Sequence, residues 1–235
     1  MKKDNRQKGF TLIELMVAMA ISGMLMAVVA MAYTGQNKSN NAVQDISSLQ
    51  QDMRSALQLM AREIRMAGYD PTGDADAGIV LATSTDFQFT LDINDGAGGD
   101  SDGATDGVDE DIRYAINTSG DLGREVVGGA TGLRPVTENI DQLMYEYYLE
   151  NGAWTQTPTA GELDKIRAVK IIIRGHSARQ TAGTVDTSTF TPPIETVVPP
   201  AVVPTPPDWT PATPGNFHWR MMSLIVQCRN LKIKS

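Results

Sequence analysis

Residues Phe10–Tyr33 read FTLIELMVAMAISGMLMAVVAMAY, 24 residues with a single charge, Glu14. As a helix rising about 1.5 Å per residue, this stretch spans roughly 36 Å, more than the ~30 Å hydrocarbon core of a bilayer. Ahead of it, Lys2, Lys3, Arg6 and Lys8 outweigh Asp4 to give residues 1–9 a balance of +3. That basic start holds its end in the cytoplasm and sends the rest of the chain to the periplasm. A removable secretory signal would have a shorter apolar middle and an A-x-A-like site at a natural break at its end. A plain signal anchor fits the span as well as any more specialised membrane helix.

Glu14 separates these readings. A carboxylate inside an apolar helix is costly to insert and calls for a partner, yet the span holds no Lys or Arg. One resolution is that Glu14, close to the cytoplasmic end, snorkels to the headgroups. The other is that a cut after Gly9 creates an ammonium on Phe10 of one subunit, which pairs with Glu14 of another.

The string KGFTLIELMVAMAISGM, from Lys8 to Met24, closely resembles the leader and first turns of type IV prepilins and of the pseudopilins of type II secretion. The resemblance covers about the first 30 residues. It implies that prepilin peptidase cuts between Gly9 and Phe10 and methylates the new Phe10 amine. It also implies that Glu14 is the acidic residue at the fifth mature position, used in subunit docking. The implied partners are prepilin peptidase, other minor pilins or pseudopilins, the major pilin and the inner membrane, with no cofactor and no metal. Many major pilins kink this helix with a proline near its middle. No proline falls between Phe10 and Met66 here, so a straighter helix is expected, which suits a minor pilin or pseudopilin. Ala18 with Ser22, and Gly23 with Ala27, are small-xxx-small pairs that let helices approach closely, although such spacing is common in membrane helices generally.

Beyond the polar stretch TGQNKSNN, apolar residues return as Val43, Ile46, Leu49, Met53, Leu57, Met60 and Ile64, tracing one helical face. Gly68 supplies a stop, with Pro71 shortly after. The spacing predicts one helix from Phe10 to Ala67, whose second half carries an apolar stripe for packing on a sheet. The stripe lasts too few heptads for a long coiled coil. DMRSALQLMAREIRMAGYDP, from Asp52 to Pro71, is similar to the corresponding region of PilW-type minor pilins and of pseudopilin J.

Past Pro71 the period changes from helix to strand. Phe87, Phe89, Leu91 and Ile93 alternate with polar residues, Ile112, Tyr114 and Ile116 repeat the two-residue period, and Leu143, Tyr145, Tyr147 and Leu149 follow. Val169, Ile171 and Ile173 lie within KIRAVKIIIRG, and Phe217–Asn230 is a last strand candidate. Strands behind one long helix predict an α+β fold in which the helix lies across an antiparallel β-sheet head, as in type IV pilins. The expected organisation is a leader at 1–9, a membrane and filament-core helix at 10–33, its amphipathic continuation at 34–67 and a periplasmic head at 68–235.

Two insertions interrupt the head. Residues 92–111, DINDGAGGDSDGATDGVDED, are acidic and glycine-rich. Their alternating oxygens could order calcium, but the twelfth position counted from Asp92 is Gly103 where an EF-hand needs a bidentate Glu, so a solvated loop is the main expectation. The second insertion, within residues 178–214, holds nine of the twelve prolines between Pro192 and Pro214 and favours extended polyproline II.

The total charge of −8 leaves −11 for the body after residue 9, which does not suit a nucleic-acid binder. Catalytic signatures are missing. The histidines, His176 and His218, stand apart from any metal-ligand spacing, and Cys228 is the single cysteine. Neither G-x-S-x-G nor G-x-x-x-x-G-K-[ST] occurs. No enzyme is therefore expected, and the resemblance to type IV prepilins implies a structural minor pilin of the PilW type. A pseudopilin J-like subunit of type II secretion is the near alternative, and a tip adhesin or DNA-uptake pilin is the alternative of another class.

Overall fold

A computed structural model describes residues 10–94, 99–129, 131–180, 190–193, 209 and 216–231. The expected leader at 1–9 and most of the proline-rich excursion lie outside the described residues. Helix α1 runs Leu12–Ile64, 53 residues in all. Its interior is free of proline, so nothing interrupts the backbone ladder. It ends through tightened turns, with the amides of Met66 and Ala67 donating to Glu63 and Ile64 three residues back. The chain then reverses at Gly68, whose φ of +75° suits glycine, and a Cβ there would lie 2.8 Å from Leu231.

The chain divides into two compact units, residues 1–44 and 45–235. In the first, every residue from Phe10 to Asn41 is exposed. In the second, the later part of α1 buries Leu49, Met53, Ala56, Leu57, Met60, Ala61 and Ile64. The expected stripe is thus shorter than its periodicity suggested, because Val43 is 60% exposed and Ile46 only partly covered. Spacing marks which face of a helix is apolar, but not how far along that face the packing partner reaches.

That partner is the expected antiparallel β head, and it is divided into two sheets. The first is a five-stranded meander of β1 (Ile79–Ala82), β2 (Asp86–Thr90), β3 (Asp111–Ile116), β4 (Leu122–Val126) and β5 (Arg134–Thr137), paired in chain order. The second contains β6 (Ile140–Leu149), β7 (Trp154–Thr155), β8 (Ile166–His176) and β9 (Trp219–Gln227) in the order β7-β6-β8-β9. A 3-10 turn over Ala160–Lys165 precedes β8. Both sheets and the later part of α1 share one apolar core. At its centre the Phe87 ring lies 5.6 Å from both Phe89 and Tyr145, and 5.8 Å from Tyr147. Strand β8 is buried on both faces: Val169, Ile171 and Ile173 enter the core, while Ile172 joins a second cluster with Met144 and Trp209. The unbroken apolar run Ile171–Ile173 fits such a central strand.

Candidate functional site

The candidate site is the start of α1. Thr11 immediately precedes the first helical residue, Leu12, while Phe10 stands outside the helix and is 92% exposed. Oε2 of Glu14 accepts from both the backbone amide and the hydroxyl of Thr11, each at 2.9 Å. The Glu14 amide donates back to the Thr11 hydroxyl at 3.3 Å, and Leu15 donates to the Thr11 carbonyl at 3.2 Å. This is a capping box, in which side chains at the first and fourth positions satisfy amides that the helix leaves unpaired. The T-x-x-E spacing of Thr11–Glu14 carries that signal in the sequence, and it escaped the reading that singled out Glu14 by charge alone. The carboxylate also lies in the first turn, where the helix dipole favours negative charge. Gly9 lies outside the described residues, so of the expected processing and docking residues the structure places Phe10 and Glu14 together at the same helix end. Downstream, the Ser22 hydroxyl donates to the Ala18 carbonyl at 2.8 Å, which satisfies the one polar group of that small-residue pair.

A family model described as the prokaryotic N-terminal methylation motif matches residues 4–30, the segment that contains Phe10, Thr11 and Glu14. Among solved structures, a type IV-like pilin from Thermus thermophilus matches with a TM-score of 0.51 and 19% identity, over 78% of this chain and 96% of that one. The chain joins a methylation-motif N-terminus to a type IV pilin-like fold. No curated protein matches it. The structural likeness carries the fold of helix and antiparallel head, and the family match is confined to the N-terminal motif. In this pilin-like chain α1 is long and apolar enough near its start to cross a membrane.

The remaining candidate residues serve the head itself. Within the acidic insertion, Asp92 and Glu110 are fully buried rather than solvated. Glu110 accepts from the amides of Ile93, Asn94 and Gly107 at 2.7–2.8 Å, and Asp92 from those of Asp102 and Gly103 and from the Thr72 hydroxyl. These two carboxylates tie down the described parts of the loop. Among the described residues no group of three His, Cys, Asp or Glu side chains converges on a point where a metal could sit. His176 packs against the rings of Phe217 and Trp219, 4.7 and 5.0 Å away, as an aromatic neighbour would. The Cys228 thiol is pushed up to about 12 by burial, which keeps it protonated and unreactive.

One cluster had no sequence signature. Oε2 of Glu63, in the last turn of α1, accepts from the Tyr114 hydroxyl on β3 at 2.6 Å and from Arg124 Nε on β4 at 3.0 Å. Arg124 also reaches Asp109 at 2.9 Å, so one network joins the helix end, the first sheet and the acidic insertion. Its hydrogen-bonded partners lie 15 to 61 residues apart in sequence, which is why no local pattern could point to it.

Proposed function

We propose that this chain is a PilW-type minor pilin, a non-catalytic structural subunit held in the inner membrane and assembled into, or priming, a type IV pilus. The observation that carries this reading is the start of α1. Every residue from Phe10 to Asn41 is exposed, including Leu12, Ile13, Met16, Leu25 and Val29. A monomer in water rarely leaves so continuous an apolar surface bare. Lipid covers it before assembly, and the helices of neighbouring subunits cover it in the filament. Prepilin peptidase removes residues 1–9 and methylates the Phe10 amine, and Glu14 then docks against that amine on a neighbouring subunit. The periplasmic head, stabilised by packing and not by any disulfide, faces outward.

The test is intact mass and N-terminal sequencing of the protein from membranes of cells with and without prepilin peptidase. A mature chain beginning with N-methylated Phe10 only when the peptidase is present is expected. A leader retained in both strains would leave a simple membrane-anchored domain in place of a filament subunit.

A further inference from the structure

The chain just past α1 and the acidic insertion form the two walls of one open groove of about 580 Å³. Met66 and Tyr69 stand on the helix side and Asp100 and Ser101 on the insertion side, with Pro71 and Ile93 completing the lining. Met66 and Tyr69 are both exposed. Two large apolar side chains left open in one groove mark a surface that gains by being covered.

Charge divides along the same line. Arg54, Arg62 and Arg65 are exposed at the end of α1, and the helical repeat brings all three within about a quarter turn of one another. Arg62 lies one turn before Met66, so the helix wall is positive. Arg113, Arg124, Arg167, Lys170 and Arg174 are held in ion pairs, but among the described residues these three arginines have none. The opposite wall is negative. Asp74, Asp100 and Asp102 are exposed there, and the Asp74 side chain lies against Gly103, where a Cβ would meet it at 3.3 Å. Among the described residues the Asp74 and Asp100 carboxylates accept no hydrogen bond and pair with no cation. Opposite charges thus flank one groove without neutralising each other within the chain.

We propose that this groove is a two-fold docking surface for a second copy of the chain. The arginine wall of each copy meets the aspartate wall of the other, and Met66 and Tyr69 are covered at the centre. Charge complementarity singles out that occupant. A surface with a positive wall beside a negative one matches its own image turned half a circle about an axis through the groove, so every contact is made twice. An acidic segment would answer only the arginines, and a basic one only the aspartates. The facing charges are exposed, so the dimer is reversible and weakens with salt. Such a dimer needs no filament and stands apart from the pilin reading.

The test is sedimentation equilibrium of the full chain in density-matched detergent micelles at rising protein concentration. A reversible dimer that dissociates as salt is raised is expected. Arg62→Glu with Arg65→Glu makes both walls acidic, and Asp74→Arg with Asp100→Arg makes both basic, so each variant alone should dimerise about tenfold more weakly or worse. An equimolar mixture of the two restores opposite charges at both contacts and should return the dimer. Copies meeting through the apolar start of α1, which both variants share, would not give that pattern. A monomer at every concentration overturns the proposal, as does a dimer that survives in either variant alone, or a mixture no more associated than its components. Should either variant fail to melt cooperatively, Arg65→Gln with Asp100→Asn in one chain decides. A dimer weakened about tenfold then supports the contact, and an unchanged one overturns it.

Discussion

Replacing Glu63 by Ala tests how the end of α1 is fastened to the head. The substitution removes the acceptor of both the Tyr114 hydroxyl and Arg124 Nε, while alanine leaves helix propensity intact. Tyr114 is 0% exposed, so its hydroxyl loses its partner where water does not replace it, at about 1–3 kcal/mol. The ion pair with Arg124 is partly exposed, with side chains at 17% and 22%, and adds no more than about 1 kcal/mol. Arg124 keeps Asp109, so no cation is stranded. The expected loss is about 2–3 kcal/mol, the middle of those ranges. Tyr114→Phe removes the donor but leaves Glu63 paired, and should cost about 1 kcal/mol. The double substitution has no buried hydroxyl left to satisfy, so it should cost about 1–2 kcal/mol less than the two single losses together. Urea unfolding in micelles reads this through Trp154, Trp209 and Trp219, all of which lie beyond α1. Additivity of the two losses to within about 0.5 kcal/mol would refute the shared network, as would a larger loss from Tyr114→Phe than from Glu63→Ala.

The other head predictions concern burial. The hydroxyls of Tyr114, Tyr145 and Tyr147 are all held well above the ordinary tyrosine value, by burial first and by nearby acidic groups second. Their folded values exceed the unfolded value near 10, so the stability linked to them is intact below about pH 10 and is lost as pH rises beyond it. Absorbance titration should find three of the six tyrosines un-ionised until the head unfolds. Cys228, raised to about 12 by burial, should resist alkylation at pH 8 and react once urea unfolds the chain; rapid labelling of the native protein would contradict its packing. Met53→Ala, at a fully buried position, should cost about 2–5 kcal/mol. Val43→Ala, at an exposed one, should stay within about 0.5 kcal/mol, and a comparable loss at both would restore the longer stripe.

The long helix was legible because its cues are local: an apolar run, a 3-to-4 spacing and a glycine stop each lie within a few residues. Strands β3, β6 and β8 were legible for the same reason, since Ile112, Tyr114 and Ile116, then Leu143, Tyr145, Tyr147 and Leu149, and Val169, Ile171 and Ile173 each recur at every second position. Strands β1, β5 and β7 span only four, four and two residues, too few for a period to emerge, and β4, Leu-Gly-Arg-Glu-Val, has no apolar alternation. Strand β5 even contains Pro135, tolerable because it lies at the edge of its sheet. The division into two sheets depends on which strands pair, and pairing is non-local. The acidic insertion shows the same limit from another side. Eight carboxylates fall between Asp92 and Asp111, and composition treats them alike, yet Asp92 and Glu110 are buried and bind backbone amides. Seating of Trp209 was hidden because its partners, Met144 and Ile172, sit on strands far off in the chain, whereas proline content reports only backbone conformation.

At the helix start the proposed docking role would give one side chain a second task beside capping. The capping box uses Oε2 of Glu14, and among the described residues Oε1 accepts no hydrogen bond. Thr11 therefore fixes the carboxylate in place with one oxygen left for an incoming ammonium, so that docking would not have to order a free side chain. Glu14→Gln and Thr11→Ala pull the two roles apart. Glutamine serves a capping box as glutamate does but carries no charge, so Glu14→Gln should leave amide exchange of the first turn unchanged in micelles while filament incorporation falls. Thr11→Ala keeps the charge and loses the cap, so first-turn amides should exchange faster, with a smaller loss of incorporation. If Glu14→Gln is processed and incorporated as well as the unaltered chain, the carboxylate is only a cap, and the docking role passes to some other group.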